Sequence, residues 1–132
     1  MQLAHVAELS PQDFDLLASA LVETGLEKTL PQLLAQLDIG QYQLWRLEGV
    51  STNVLVVTAI KNEVASRELF IYLIAGFGWI NFLEEIEPEL AKICKYKDCQ
   101  FIAGIARNAA MERVYDRYGA KRAGVIFRKA IA

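Results

Sequence analysis

The chain has a single histidine, His5, and that scarcity removes whole classes of chemistry. A Ser-His-Asp or Cys-His catalytic set would have to run through His5. Cysteine is almost as rare. Cys94 and Cys99 stand five apart, so they do not share a helix face, and no histidine lies near them. A zinc site would lack two of its four ligands, so no metal is expected and both residues read as reduced thiols. No Walker loop, EF-hand loop or HExxH appears. Long apolar runs are missing too. The longest, Leu69 to Phe77, is interrupted by Gly76 and falls far short of the ~20 residues a membrane span needs. The opening residues do not read as a basic-then-apolar signal segment. A cytoplasmic protein is the expectation.

What is present is apolar. The 132 residues suit one domain, residues 1–132, and 54% of them are hydrophobic, with a mean hydropathy of +0.22. So rich a composition implies a large core, a surface buried against a partner, or both. Net charge is −2, but its distribution is polarised. Residues 1–40 hold one lysine against six acids, and residues 100–132 hold seven bases against two acids. Such polarity steers an anionic ligand or aligns a neighbouring subunit. The blander reading, which we favour, is that the two ends pack near each other and compensate. Tyr118 and Phe127 among the C-terminal bases are similar to a nucleic-acid surface, but a net negative chain argues against nucleic acid as partner.

Residues 2–7 read as a short strand. "SPQD" then opens a helix: Ser10 caps it, Pro11 suits its first position, and Asp13 complements its positive end. Phe14, Leu17, Ala18 and Leu21 recur at helical spacing, and Gly25 ends the run. A second helix spans Thr29 to Leu37, with Pro31 near its start and Gly40 as its stop. The period then becomes two. In "QYQLWRLE", Tyr42, Leu44 and Arg46 face one side and Gln43, Trp45 and Leu47 the other. "NVLVVTAIK" and "RELFIYLI" are β-branched and nearly continuous, with short polar joints. These are three strands of an antiparallel meander, covered on both faces. "LEEIEPELAKICKYK" reads as a helix with Leu83, Ile86, Leu90, Ile93 and Tyr96 as its buried stripe. Pro88 implies either a kink or a start near Glu87. "CQFIAGIA" is a strand, "NAAMERVYDRYG" a helix and "AGVIFRKAI" a final strand. The order is β-α-α-β-β-β-α-β-α-β.

In "RNAAMERVYDRYGAK", Tyr115 admits two readings. Met111, Val114, Tyr115 and Tyr118 form one face of a helix, which any helix packed on a sheet would show. The alternative comes from a resemblance. The element order over nearly the whole chain resembles the GNAT superfamily of N-acetyltransferases. Asn108, Tyr115 and Gly119 fit the family's local pattern, whereas Met111 and Ala120 depart from its Ala and Phe. The resemblance implies an α/β fold, a mixed central sheet of six to seven strands with about four helices, splayed between strands 67–74 and 100–106. It implies that Asn108 holds the pantetheine arm of coenzyme A and that Tyr115 protonates the departing thiolate. It also implies a pyrophosphate cradle of the form Gln/Arg-x-x-Gly-x-Gly/Ala. "LIAGFG" supplies Gly76 and Gly78 but has Leu73 in the basic slot. Family spacing from Cys99 points instead to Asn81 in "WINFLEE", where bulky side chains crowd the backbone, and Glu84 and Glu85 repel phosphate.

"LFIYLIAGFG", "LAKICKYKDCQFI" and "YGAKRAGVIFRKAI" further resemble small GNAT-like proteins of tailed bacteriophages, often degenerate at the cofactor loop and linked to virion assembly. Two main expectations follow. The first is a virion-associated or assembly component in host cytoplasm or virion, with no cofactor and with itself or other virion proteins as partners. The second is an acetyl-CoA-dependent N-acetyltransferase. There Tyr115 is the acid, Glu68 the base, and Gly76, Gly78 and Asn108 bind the cofactor. A cofactor-binding sensor without chemistry is a third.

Overall fold

The computed structural model describes residues 2–23, 28–49, 53–62, 64–76, 79–105, 113, 116, 121–123 and 126–131, with the side chains of 79–85, 105, 121–123 and 126–128 excepted. The helix α1 (Pro11–Glu23) follows strand β1 (Gln2–His5). Its start is a reciprocal cap. The Asp13 amide donates to the Ser10 hydroxyl oxygen at 3.2 Å, and the Ser10 amide donates to the Asp13 carboxylate at 3.0 Å. The helix α2 (Leu30–Asp38) opens on a second such box between Thr29 and Gln32. It closes at Ile39, with Gly40 at φ +76°. Then come β2 (Gln43–Glu48), β3 (Leu55–Asn62), β4 (Arg67–Ala75), α3 (Trp79–Tyr96) and β5 (Phe101–Ile105). The chain ends in β6 (Lys121–Ala123) and β7 (Ile126–Ala130).

The seven strands make one mixed sheet in the order β1-β2-β3-β4-β5-β7-β6. All neighbours are antiparallel except β4 and β5. That parallel pair needs a crossover, which α3 supplies. Both faces are covered, as the two-sided apolar strands require. Ile86, Leu90 and Cys94 of α3 pack on Val54, Val56, Leu69, Ile71 and Ile102. Leu17 and Leu21 of α1 and Leu33 of α2 pack on Leu44, Leu55, Val57, Leu73 and Ala75. The alternation in β2 sorts as expected, with Leu44 and Tyr42 on the α1/α2 face and Trp45 and Leu47 on the α3 face. The buried Thr58 is not orphaned, because the Trp45 indole donates to its hydroxyl at 2.9 Å.

Four expectations change. The helix α3 starts at Trp79, earlier than Leu83, and runs through Pro88 rather than beginning near Glu87. Proline there forfeits one backbone bond, at about 3 kcal/mol. Burial of Ile86, Leu90 and Cys94 outweighs that loss. Tyr96 is 83% exposed, so it ends the helix outside the stripe. The final run is two strands, since β6 and β7 pair antiparallel and the chain reverses between Ala123 and Ile126. Nor do the strands at the two charged ends meet: among the described residues β1 and β6 are opposite edges of the sheet. Asp13 pairs with Arg46, and Lys129 of β7 pairs with Glu87 of α3. Within the expected helix over 108–119, Arg113 and Asp116 are described; both are helical and exposed.

Candidate functional site

The β4–β5 ladder is short. Its partners run from Glu68↔Phe101 to Ile71↔Gly104 and stop there, although β4 continues to Ala75. The last four residues of β4 therefore have no β5 partner among the described residues. The last described pair sets Ile71 beside Gly104, which has no side chain. The splay expected between strands 67–74 and 100–106 would open beyond this pair, at residues that lie outside the described ones.

A β-bulge marks the same place. Val57 pairs with Leu73 and Thr58 with Ile71, so Tyr72 is an extra residue in β4. The bulge reverses which face each side chain takes. Leu69 and Ile71 point to the α3 cluster, whereas Leu73 and Ala75, two and four positions on, point to the α1/α2 cluster. Without the extra residue all four would share one face. The sequence reading missed this bulge.

β4 then turns into α3 through Gly76 (φ +133°). An ideal Cβ on Gly76 would lie 2.5 Å from the Asn53 carbonyl oxygen and 3.0 Å from Val54 Cα. Close backbone approach thus accounts for this glycine. The helix begins three residues later at Trp79, so the "GFG" segment connects strand end to helix start. Leu73, in the motif's basic slot, is 3% exposed and buried in the α1/α2 core. The side chain there is packing.

A charged cluster lies beside the turn. Arg46 donates to both carboxylate oxygens of Asp13, at 2.6 and 3.1 Å, and to the Asn53 side-chain oxygen. The Asn53 amide donates back to Asp13 at 2.9 Å. The Arg46 guanidinium holds the Asp13 carboxyl well below the usual carboxylate range, against the opposing effect of burial, and Ser10 and Asn53 assist. Ser10, Gln12, Asp13, Arg46 and Asn53 line an open cleft of about 490 Å³.

The expected site residues divide. Gly76 is at the strand–helix turn. Glu68 is buried at the other end of β4, beside Lys61 and Phe101 in the ladders. Four residues of strand put it ~13 Å from Tyr72, at the end of β4 away from Gly76. Gly78, Asn108 and Tyr115 lie outside the described residues. Residues not anticipated from sequence are Tyr72, Tyr42 and Lys28. The two rings stack at 4.8 Å between centroids, and the Lys28 ammonium lies over both. Among the described residues no helix is long and apolar enough to cross a membrane.

No family model matches the chain, and no curated protein matches it. Solved structures do. A chain described as a GNAT-family acetyltransferase from Desulfovibrio desulfuricans aligns over 98% of this chain and 99% of its own, with a TM-score of 0.64 and 15% identity. A chain of the NatC complex bound to Gag peptide and CoA aligns over 100% of both, with a TM-score of 0.67 and 11% identity. A tyrosine-to-phenylalanine mutant of the AtaT toxin, bound to the C-terminus of the antitoxin AtaR and to acetyl-CoA, aligns over 98% of this chain and 92% of its own. Its TM-score is 0.57 at 14% identity. At such identities the likeness is one of fold: the chain has the GNAT-like fold, with a mixed α/β sheet in which the fourth and fifth strands are the parallel pair.

Proposed function

We propose that the chain binds acetyl-CoA at the open end of β4 and transfers its acetyl group to an amine. The observation that carries this reading is the parallel β4–β5 pair of a GNAT-like sheet, whose last described rung sets Gly104 opposite Ile71 while β4 runs on to Ala75. A strand edge without a strand partner presents amides and carbonyls that a pantetheine arm can pair with, as an added strand would. The absence of a side chain at Gly104 suits a narrow ligand. The basic residues Lys121, Arg122 and Arg128 lie on the β5 side, in β6 and β7, and add positive charge that favours a polyanionic ligand. Two of the fold neighbours were solved with CoA or acetyl-CoA.

In this reading the acceptor nitrogen attacks the thioester carbonyl carbon. A C–N bond forms and the C–S bond breaks. Tyr115 gives its hydroxyl proton to the leaving sulfur, and the proton of the amine passes to solvent, because Glu68 stands ~13 Å from Tyr72 at the far end of β4. Asn108 and the amides around Gly76 and Gly78 hold the coenzyme. The test is turnover: release of free CoA thiol, measured against a panel of lysine, polyamine and peptide N-terminal amines. Tyr115→Phe should lower the rate about 10²-fold with the acetyl-CoA affinity kept. A rate unchanged by that substitution would return Tyr115 to packing.

Burial of Leu73 favours a second reading. A basic side chain is missing from the phosphate-binding slot, and its replacement serves the core. A phage-type GNAT-fold protein kept for its surface, assembling with itself or with virion proteins, would have that feature. Two of the fold neighbours come from protein complexes. Absence of acetyl-CoA binding together with a concentration-dependent oligomer would select this reading.

A further inference from the structure

The bulge at Tyr72 has built a second feature on the α1/α2 face. Tyr72 stacks on Tyr42, the residue just before β2, with centroids 4.8 Å apart and planes inclined by 21°. The Lys28 ammonium lies 4.8 Å from one ring centroid and 4.9 Å from the other. It donates to the Gln36 side-chain oxygen and, at 3.3 Å, to the Tyr42 hydroxyl. All four residues are half-buried. Two π faces and two oxygen acceptors are what a primary ammonium group requires. A neutral group of the same size would gain little from them.

Lys28 stands outside the regular elements that carry its partners. It belongs to neither α1 nor α2, and it precedes the N-cap Thr29. Its ammonium can leave by side-chain rotation, with no helix to unfold. Tyr42, Tyr72 and Gln36 are anchored by β2, β4 and α2. We propose that Gln36, Tyr42 and Tyr72 form a binding site for a primary ammonium group, which Lys28 occupies in the resting protein and an external amine takes by displacing it. The site adjoins the last described β4–β5 pair, Ile71↔Gly104, so the amine it holds is positioned as an acetyl acceptor. That last role rests on the acetyl-transfer reading; the binding does not. A tethered ammonium competes at an effective concentration on the order of millimolar, so weak amines are excluded while Lys28 is in place.

The experiment titrates n-butylammonium into the full-length protein without acetyl-CoA and follows backbone amide and tyrosine ring resonances by NMR. Lys28→Ala should bind n-butylammonium at least about tenfold more tightly than the unaltered protein, with shifts confined to residues around Tyr42 and Tyr72. 1-Butanol should not bind. Adding Tyr72→Leu to Lys28→Ala should abolish binding, and Lys28→Gln, which keeps length and loses charge, should resemble Lys28→Ala. Unchanged thermal unfolding of Lys28→Ala confirms that the variant is folded. Equal affinity in the unaltered protein and Lys28→Ala, equal binding of butanol, or binding that survives Tyr72→Leu would each overturn the proposal. A separate acetyl-CoA titration of the same variant distinguishes the two readings. Ammonium binding without acetyl-CoA binding would keep this site and remove acetyl transfer.

Discussion

Arg46 sets its guanidinium against both carboxylate oxygens of Asp13, across 33 positions of sequence, and so ties the start of α1 to the second strand. Asp13 is 2% exposed and Arg46 29%. Asp13→Ala should therefore cost about 2–3 kcal/mol, less than the ~3–5 kcal/mol of a fully buried pair. Urea denaturation at neutral pH measures it. The pH dependence has a definite sign. The folded-state carboxyl is depressed below its unfolded value of about 3.9. Its stabilisation is complete above about pH 4 and is lost as pH falls through the folded value. The stability gap between the unaltered protein and Asp13→Asn should narrow below about pH 4, and a gap constant with pH would contradict the assignment.

Gly76 is held by its neighbours in space. A methyl group there would meet the Asn53 carbonyl at 2.5 Å, at a φ of +133° that L side chains rarely adopt. Gly76→Ala should destabilise by about 2 kcal/mol or more. Because Asn53 also bonds Asp13 and Arg46, the loss should be non-additive with Asp13→Ala in a double-mutant cycle. Strict additivity would mean that the turn and the ion pair are independent.

The two thiols should be inert in the native state. Cys94 is buried, and burial raises its pKa to about 11; its Sγ donates to the Cys99 carbonyl at 3.2 Å. Burial also pushes the Cys99 thiol up. At pH 8, alkylation of both should be about 10²-fold slower than that of free cysteine, with full reactivity restored in denaturant. Rapid labelling of the folded protein would contradict this packing.

Much of the architecture could be read before any coordinates. Ser10, Pro11 and Asp13 announced α1, Gly40 closed α2, and the alternation through Leu44, Trp45 and Leu47 assigned both faces of β2. The bulge left no such trace. A strand buried on both faces is apolar at every position, so the reversal between Ile71 and Leu73 changes no residue type. The start of α3 was obscured by Pro88, whose local penalty is outweighed by burial that only the folded chain provides. Lys28 drew no notice because its partners, Tyr42 and Tyr72, are 14 and 44 positions away and meet it through the sheet. A position at a strand start, all that marks Glu68 in the sequence, carries no information on which end of β4 faces a ligand.

Acetyl-CoA binding tests the account most directly. Isothermal titration of the full-length chain, with Gly78→Trp as the control for the strand–helix turn, addresses the open end of β4 alone. The account predicts micromolar binding that the substitution abolishes. No heat up to millimolar acetyl-CoA would contradict it and leave the sheet as a fold without its ligand.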